Sequence, residues 1–104
     1  DDTFQDVAIT FGEMNETASF ELYQNMPNPF ANSTIIGFYL PEAGAANLTI
    51  RDASGRLVTV VDGNYAQGYN QVSVDKSTLG SRGIYYYQLE TANHTATRKM
   101  ILTN

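Results

Sequence analysis

The chain has 104 residues, 6 Lys+Arg against 11 Asp+Glu, a formal net charge of −5 and no cysteine. That length holds one ordinary domain and not two. So few cations leave no surface to neutralise phosphates, which excludes a nucleic-acid partner, and the lack of cysteine removes thiol catalysis, thiolate metal sites and disulfides.

Hydrophobic residues make up 42% and aromatic residues 12%, enough for a packed core. No apolar run reaches the ~20 residues of a membrane-spanning helix, so membrane insertion is not expected. Asp1-Asp2-Thr3 opens no basic-then-apolar pattern, so any export signal is expected upstream of this sequence. Residues 1–18 read as the tail of a preceding domain or a linker: Asp6-Val7-Ala8-Ile9-Thr10-Phe11 has the alternation of a strand, and Gly12 to Thr17 is polar.

The dominant signal from residue 19 onward is alternation with period two, broken by Gly, Pro and Asn at short intervals. The first strand is expected over Ser19 to Gln24, with Phe20 and Leu22 inward. Asn25 to Asn32 cannot continue it, because Pro27 and Pro29 each remove a backbone donor and fix φ. Ser33 to Leu40 puts Thr34, Ile36, Phe38 and Leu40 on one face, and Pro41-Glu42-Ala43-Gly44 is a turn. Ala46 to Asp52 and Leu57 to Asp62 form a hairpin across Ala53-Ser54-Gly55; a longer loop, Gly63 to Gly68, follows. Tyr69 to Asp75 is the next strand, then an irregular stretch, Lys76 to Arg82, anchored by Leu79. Ile84 to Thr91 and Ala96 to Leu102 complete the set around the turn Ala92-Asn93-His94. Seven short strands with no connection long enough for a parallel crossover predict an all-β, seven-stranded antiparallel immunoglobulin-like β-sandwich over residues 19–104.

Chemistry-bearing residues are sparse. The single histidine, His94, could be a general base or metal ligand, but it lies in a turn and reads as a solvated turn residue. Asp52, Asp62 and Asp75 fall at expected strand ends; without a dense run such as D-x-D-x-D they read as turn acceptors rather than as a calcium site. In Tyr85-Tyr86-Tyr87, alternation sends Tyr85 and Tyr87 to the core and Tyr86 outward, leaving Tyr86, Tyr39, Tyr65 and Tyr69 as candidates for stacking a sugar. Asn-x-Ser/Thr triplets at Asn15, Asn32, Asn47 and Asn93 read as turn-to-strand junctions. No metal, cofactor or catalytic residue is assigned.

Five motifs in order resemble one family. Leu22-Tyr23-Gln24-Asn25-Met26-Pro27-Asn28-Pro29-Phe30 resembles the L-x-Q-N-x-P-N-P-F opening of the type A C-terminal sorting domain of the type IX secretion system of Bacteroidota. Leu40 to Gly44 resembles its LPEAG turn, Asp52 to Arg56 its D-x-x-G-R hairpin, Gly83 to Leu89 its G-[VI]-Y-x-Y-x-L strand, and Thr97 to Leu102 its T-x-K-[MV]-[IV]-[LV] strand. The chain departs from many members in closing on Thr103-Asn104 rather than on a basic residue.

The resemblance implies an address label attached to an upstream cargo. The cargo crosses the periplasm, the folded domain is read by the outer-membrane translocon, and a surface sortase-like peptidase removes it, with cleavage expected between Gly12 and Ser19. The finished protein belongs on the cell surface or in the medium, and the chain is a substrate, not an enzyme. A last strand ending free is suited to capture by strand addition or in a groove, so recognition is expected at Lys99, Met100, Ile101 and Leu102. Pro27, Asn28, Pro29, Phe30, Gly55, Gly83 and Tyr85 are expected to set architecture. The competing readings are a carbohydrate-binding or adhesion sandwich, which needs a planar row of exposed aromatics or a loop calcium site, and a passive immunoglobulin-like spacer.

Overall fold

The computed structural model describes residues 19–103. Within them the strands are β1 (Glu21–Leu22), β2 (Ser33–Leu40), β3 (Gly44–Asp52), β4 (Leu57–Tyr65), β5 (Gly68–Asp75), β6 (Gly83–Glu90) and β7 (Thr95–Leu102), with a single-turn helix α1 (Lys76–Leu79) between β5 and β6. One sheet has the order β1-β2-β5 and the other β4-β3-β6-β7, and every strand pairing is antiparallel. The β3–β4 and β6–β7 connections are hairpins within one sheet, whereas β2–β3, β4–β5 and β5–β6 pass from one sheet to the other. This is the expected seven-stranded immunoglobulin-like sandwich.

The core forms where the alternating faces meet. Ile36, Phe38, Leu40 and Val74 project from the smaller sheet, and Leu48, Ile50, Tyr85, Tyr87, Leu89, Met100 and Leu102 from the larger, all under 5% exposed. Two core side chains come from connections: Phe30 from the segment before β2, and Leu79 from α1.

Three local expectations change. The expected loop Gly63 to Gly68 shrinks to Ala66 and Gln67, because β4 runs on with Tyr65 opposite Gly44 and Gly63 opposite Ala46. The Tyr65 ring meets Phe38 edge-on at 5.1 Å, a tertiary contact that overrides the weak strand propensity of Gly63-Asn64. Asp62 therefore lies within a strand and not at its end. The stretch after β5 is not wholly irregular: the Asp75 carboxylate caps α1 by accepting from Ser77 N–H at 3.0 Å and Ser77 Oγ–H at 2.7 Å. One helical turn is too short to register as a period in sequence. Finally, β1 keeps two residues rather than six, since beyond Leu22 only isolated bonds continue, Tyr23 N–H to Gly37 O and a mutual pair between Met26 and Ile35. The expected linker or preceding-domain tail over residues 1–18, with its cleavage region, lies outside the described residues.

Candidate recognition site

The Pro-rich segment between β1 and β2 is organised by a buried asparagine. Asn25 is 1% exposed, so its polar groups need partners inside the protein. Its N–H donates to the Tyr87 hydroxyl at 2.9 Å, its side-chain amide donates to Thr34 Oγ1 at 3.0 Å and to the Pro27 carbonyl at 3.1 Å, and its Oδ1 accepts from Gln24 at 2.7 Å. The Tyr87 hydroxyl in turn donates to the Tyr23 carbonyl at 2.7 Å, and burial pushes this phenol's pKa up. Fixed in this way, the segment turns Phe30 into the core at 2% exposure while Pro27, Asn28 and Pro29 stay at the surface. The Met26–Pro27 and Asn28–Pro29 peptide bonds are both cis.

This segment lies along the outer edge of β7. Gln24 Nε2 donates to the Lys99 carbonyl at 2.6 Å, Ile101 N–H donates to Asn28 Oδ1 at 3.0 Å, Phe30 N–H donates to the Ile101 carbonyl at 3.0 Å, and Thr103 N–H donates to the Phe30 carbonyl at 2.9 Å. From the other face Arg98 Nε donates to the Leu22 carbonyl at 2.6 Å. The expectation of a freely ending last strand is thus replaced. β7 is an edge strand of its sheet, but from Lys99 to Thr103 its outward backbone groups are engaged by Gln24, Asn28 and Phe30. The structure brings the opening motif and the closing motif together.

The four residues expected to be recognised divide by parity. Lys99 is exposed and Ile101 half-buried on the outer face, whereas Met100 and Leu102 point into the core at 0% and 2% exposure. Four consecutive strand residues cannot share a face.

The remaining motif residues shape turns and ends. Gly55 has φ 92° in the β3–β4 turn, where its N–H donates to the Asp52 carbonyl at 2.9 Å. The Asp52 carboxylate accepts from Ser54 Oγ at 2.6 Å, Arg56 N at 3.0 Å and Ser54 N at 3.0 Å, with Arg56 Nε at 3.1 Å; these bonds hold its pKa down to about 2 from 3.8. Gly83 has φ 147° and starts β6 opposite Leu102. Near that start the buried Tyr85 donates its hydroxyl back to the Ser81 and Leu79 carbonyls, the tyrosine-corner arrangement of sandwich folds.

Other candidates do not converge. His94 is exposed and its ring stacks on Phe20 at 4.9 Å. Asp52 and Asp75 are occupied by their own turns, and among the described residues no three His, Cys, Asp or Glu side chains cluster. Tyr39 and Tyr65 are half-buried, and the exposed Tyr69 and Tyr86 lie on outer faces of different sheets, so they form no row. Tyr69 meets Tyr23 with the rings tilted at 44°. No local pattern in the sequence reveals Gln24 as a partner of β7, since its bond reaches a residue 75 positions away.

No curated protein and no solved structure matches the chain. A protein-family model described as the secretion system C-terminal sorting domain matches residues 24–103, from the Asn25 network through the end of β7. The chain belongs to the secretion system C-terminal sorting domain family and carries the sorting signal of a protein destined for the cell surface or the medium.

Proposed function

We propose that this domain directs the protein upstream of it through the outer-membrane translocon of a type IX secretion system, of the kind found in Bacteroidota, and performs no reaction itself. The observation that carries this reading is the family match over residues 24–103, which spans β2 to β7 and includes Gln24, Asn28 and Phe30 together with the edge of β7 that they cover. The signal is read on the folded domain, since Met100 and Leu102 place Lys99 and Ile101 only when packed in the core. The translocon contacts the last strand at Lys99–Leu102, with Lys99 and Ile101 supplying the surface and Met100 and Leu102 holding it in place. A sortase-like peptidase at the cell surface then releases the cargo by cutting in the polar stretch Gly12 to Ser19.

Fusing residues 1–104 to a periplasmic reporter in a type IX-competent bacterium tests this. The expected result is reporter in the medium or at the surface, with a mass that places the cut between residues 12 and 19. Reporter confined to the periplasm refutes the sorting reading, and exported reporter that keeps residues 19–104 refutes the cleavage. Deleting Met100 to Asn104 is a poor test of recognition, because it removes two core side chains along with the surface.

A further inference from the structure

Charge and exposure are unevenly spread over the larger sheet. Five of the 11 acidic residues, Asp1, Asp2, Asp6, Glu13 and Glu16, precede residue 19, so residues 19–104 carry six acids against all 6 cations and the whole net charge of −5 lies upstream. Register aligns the outward side chains into rows. Leu57 pairs with Arg51, Arg51 with Tyr86 and Tyr86 with Lys99, one row across β4, β3, β6 and β7. Beside it Ile84 pairs with Ile101. At the opposite end Asp62 pairs with Asn47, Asn47 with Glu90 and Glu90 with Thr95. The cationic and acidic rows are four residues apart along β3, β6 and β7, about 13 Å at ~3.3 Å per residue, and five apart along β4, where the register shifts at Ile50/Arg51. Arg82 stands on the turn at the cationic end, next to Gly83; Arg56, next to Leu57, is paired there with Asp52 at 3.1 Å. Large apolar side chains are left open between these cations: Leu57 is 51%, Ile84 40% and Tyr86 42% exposed.

We propose that the cationic end of this face, formed by Arg51, Leu57, Ile84, Tyr86, Lys99 and Ile101, is the surface on which the export machinery docks, and that its partner is a protein presenting an apolar ridge flanked by acidic side chains. This rests on the sorting reading above and extends it from one strand to a face. Charge complementarity selects the acidic flank. The exposed Leu, Ile and Tyr side chains select a protein, because a polyanionic glycan offers no apolar surface to cover them. The covered edge of β7 points the same way. With Lys99 to Thr103 already bonded to Gln24, Asn28 and Phe30, a partner reaches this end through its face and not by adding a strand.

The test compares reporter fusions of residues 1–104 that are wild type, Arg51→Glu/Lys99→Glu, and Asp62→Lys/Glu90→Lys. All four substituted side chains are exposed, and thermal melts confirm that the variants fold. The expected result is at least a ~tenfold loss of extracellular reporter for the Arg51/Lys99 pair, with precursor accumulating in the periplasm, and less than about a twofold change for the Asp62/Glu90 pair. A milder Arg51→Gln/Lys99→Gln pair gives a smaller loss in the same direction. If wild type is exported and the Arg51/Lys99 variants are exported equally, the docking face is refuted while the sorting reading stands; if wild type is not exported, the sorting reading itself fails and this inference with it. Purified domain that sediments with phosphatidylglycerol vesicles, and loses this on Arg51/Lys99 reversal, identifies a membrane site and overturns the protein partner.

Discussion

Phe30→Ala is the substitution with the largest predicted effect on the fold. Phe30 is 2% exposed although it comes from a Pro-rich connection and not from a strand. A phenylalanine buries on the order of 150–250 Å², which at ~25 cal/mol per Å² gives about 4–6 kcal/mol. Measured truncations of buried Phe to Ala cost ~3–5 kcal/mol, because the site collapses only in part. The main chain of Phe30 also donates to Ile101 and accepts from Thr103, so loss of the ring loosens the cover on the edge of β7. A domain of ~100 residues is stable by roughly 5–15 kcal/mol, so the variant forfeits a large part of its stability. The chain has no tryptophan and 7 tyrosines, so urea melts are followed by far-ultraviolet circular dichroism. With a slope near ~1–2 kcal/mol per molar for a domain this small, the midpoint falls by about 1.5–5 M urea. A loss below ~1 kcal/mol at unchanged slope refutes the assignment of Phe30 as a core anchor.

Three further outcomes follow from the same geometry. Tyr87→Phe strands the buried Asn25 N–H and the Tyr23 carbonyl, and costs about 2–4 kcal/mol in the same melts; a neutral result removes the hydroxyl from the account of the opening segment. Asp52 is held at about 2, below its ordinary 3.8, so its ionised form stabilises the fold, fully above pH ~4 and progressively less as the pH falls to 2. Wild type therefore melts higher than Asp52→Asn at pH 6, the gap closing between pH 4 and 2, and parallel melting-temperature curves contradict this. Gly55→Ala costs about 1–2 kcal/mol because φ there is 92°, whereas Gly44→Ala, with no positive φ and no close neighbour, is near neutral; equal effects at both sites remove the argument from the turn.

Period-two alternation placed the inward faces of β2, β3 and β6, and Gly and Pro placed most of their boundaries, because burial and backbone restriction are local causes. Alternation applies to β7 as well, turning Lys99 and Ile101 outward and Met100 and Leu102 into the core, a division that the expectation of recognition at all four residues did not draw. Hidden from the sequence was everything fixed by contact across the chain. Gly63-Asn64 remains in β4 because Tyr65 reaches Phe38, and Asn28 finds Ile101 at a separation of 73 residues. The rows Leu57–Arg51–Tyr86–Lys99 and Asp62–Asn47–Glu90–Thr95 depend on the register of three strand pairs at once, including a shift at Ile50/Arg51 that no local pattern announces.

The most direct measurement is the ratio of extracellular to periplasmic reporter, with and without residues 1–104 appended, in a type IX-competent strain and in an isogenic strain lacking that export system. The address-label account predicts a high ratio in one combination alone, tail present and system intact. A ratio that ignores the tail, or that persists when the system is deleted, contradicts it.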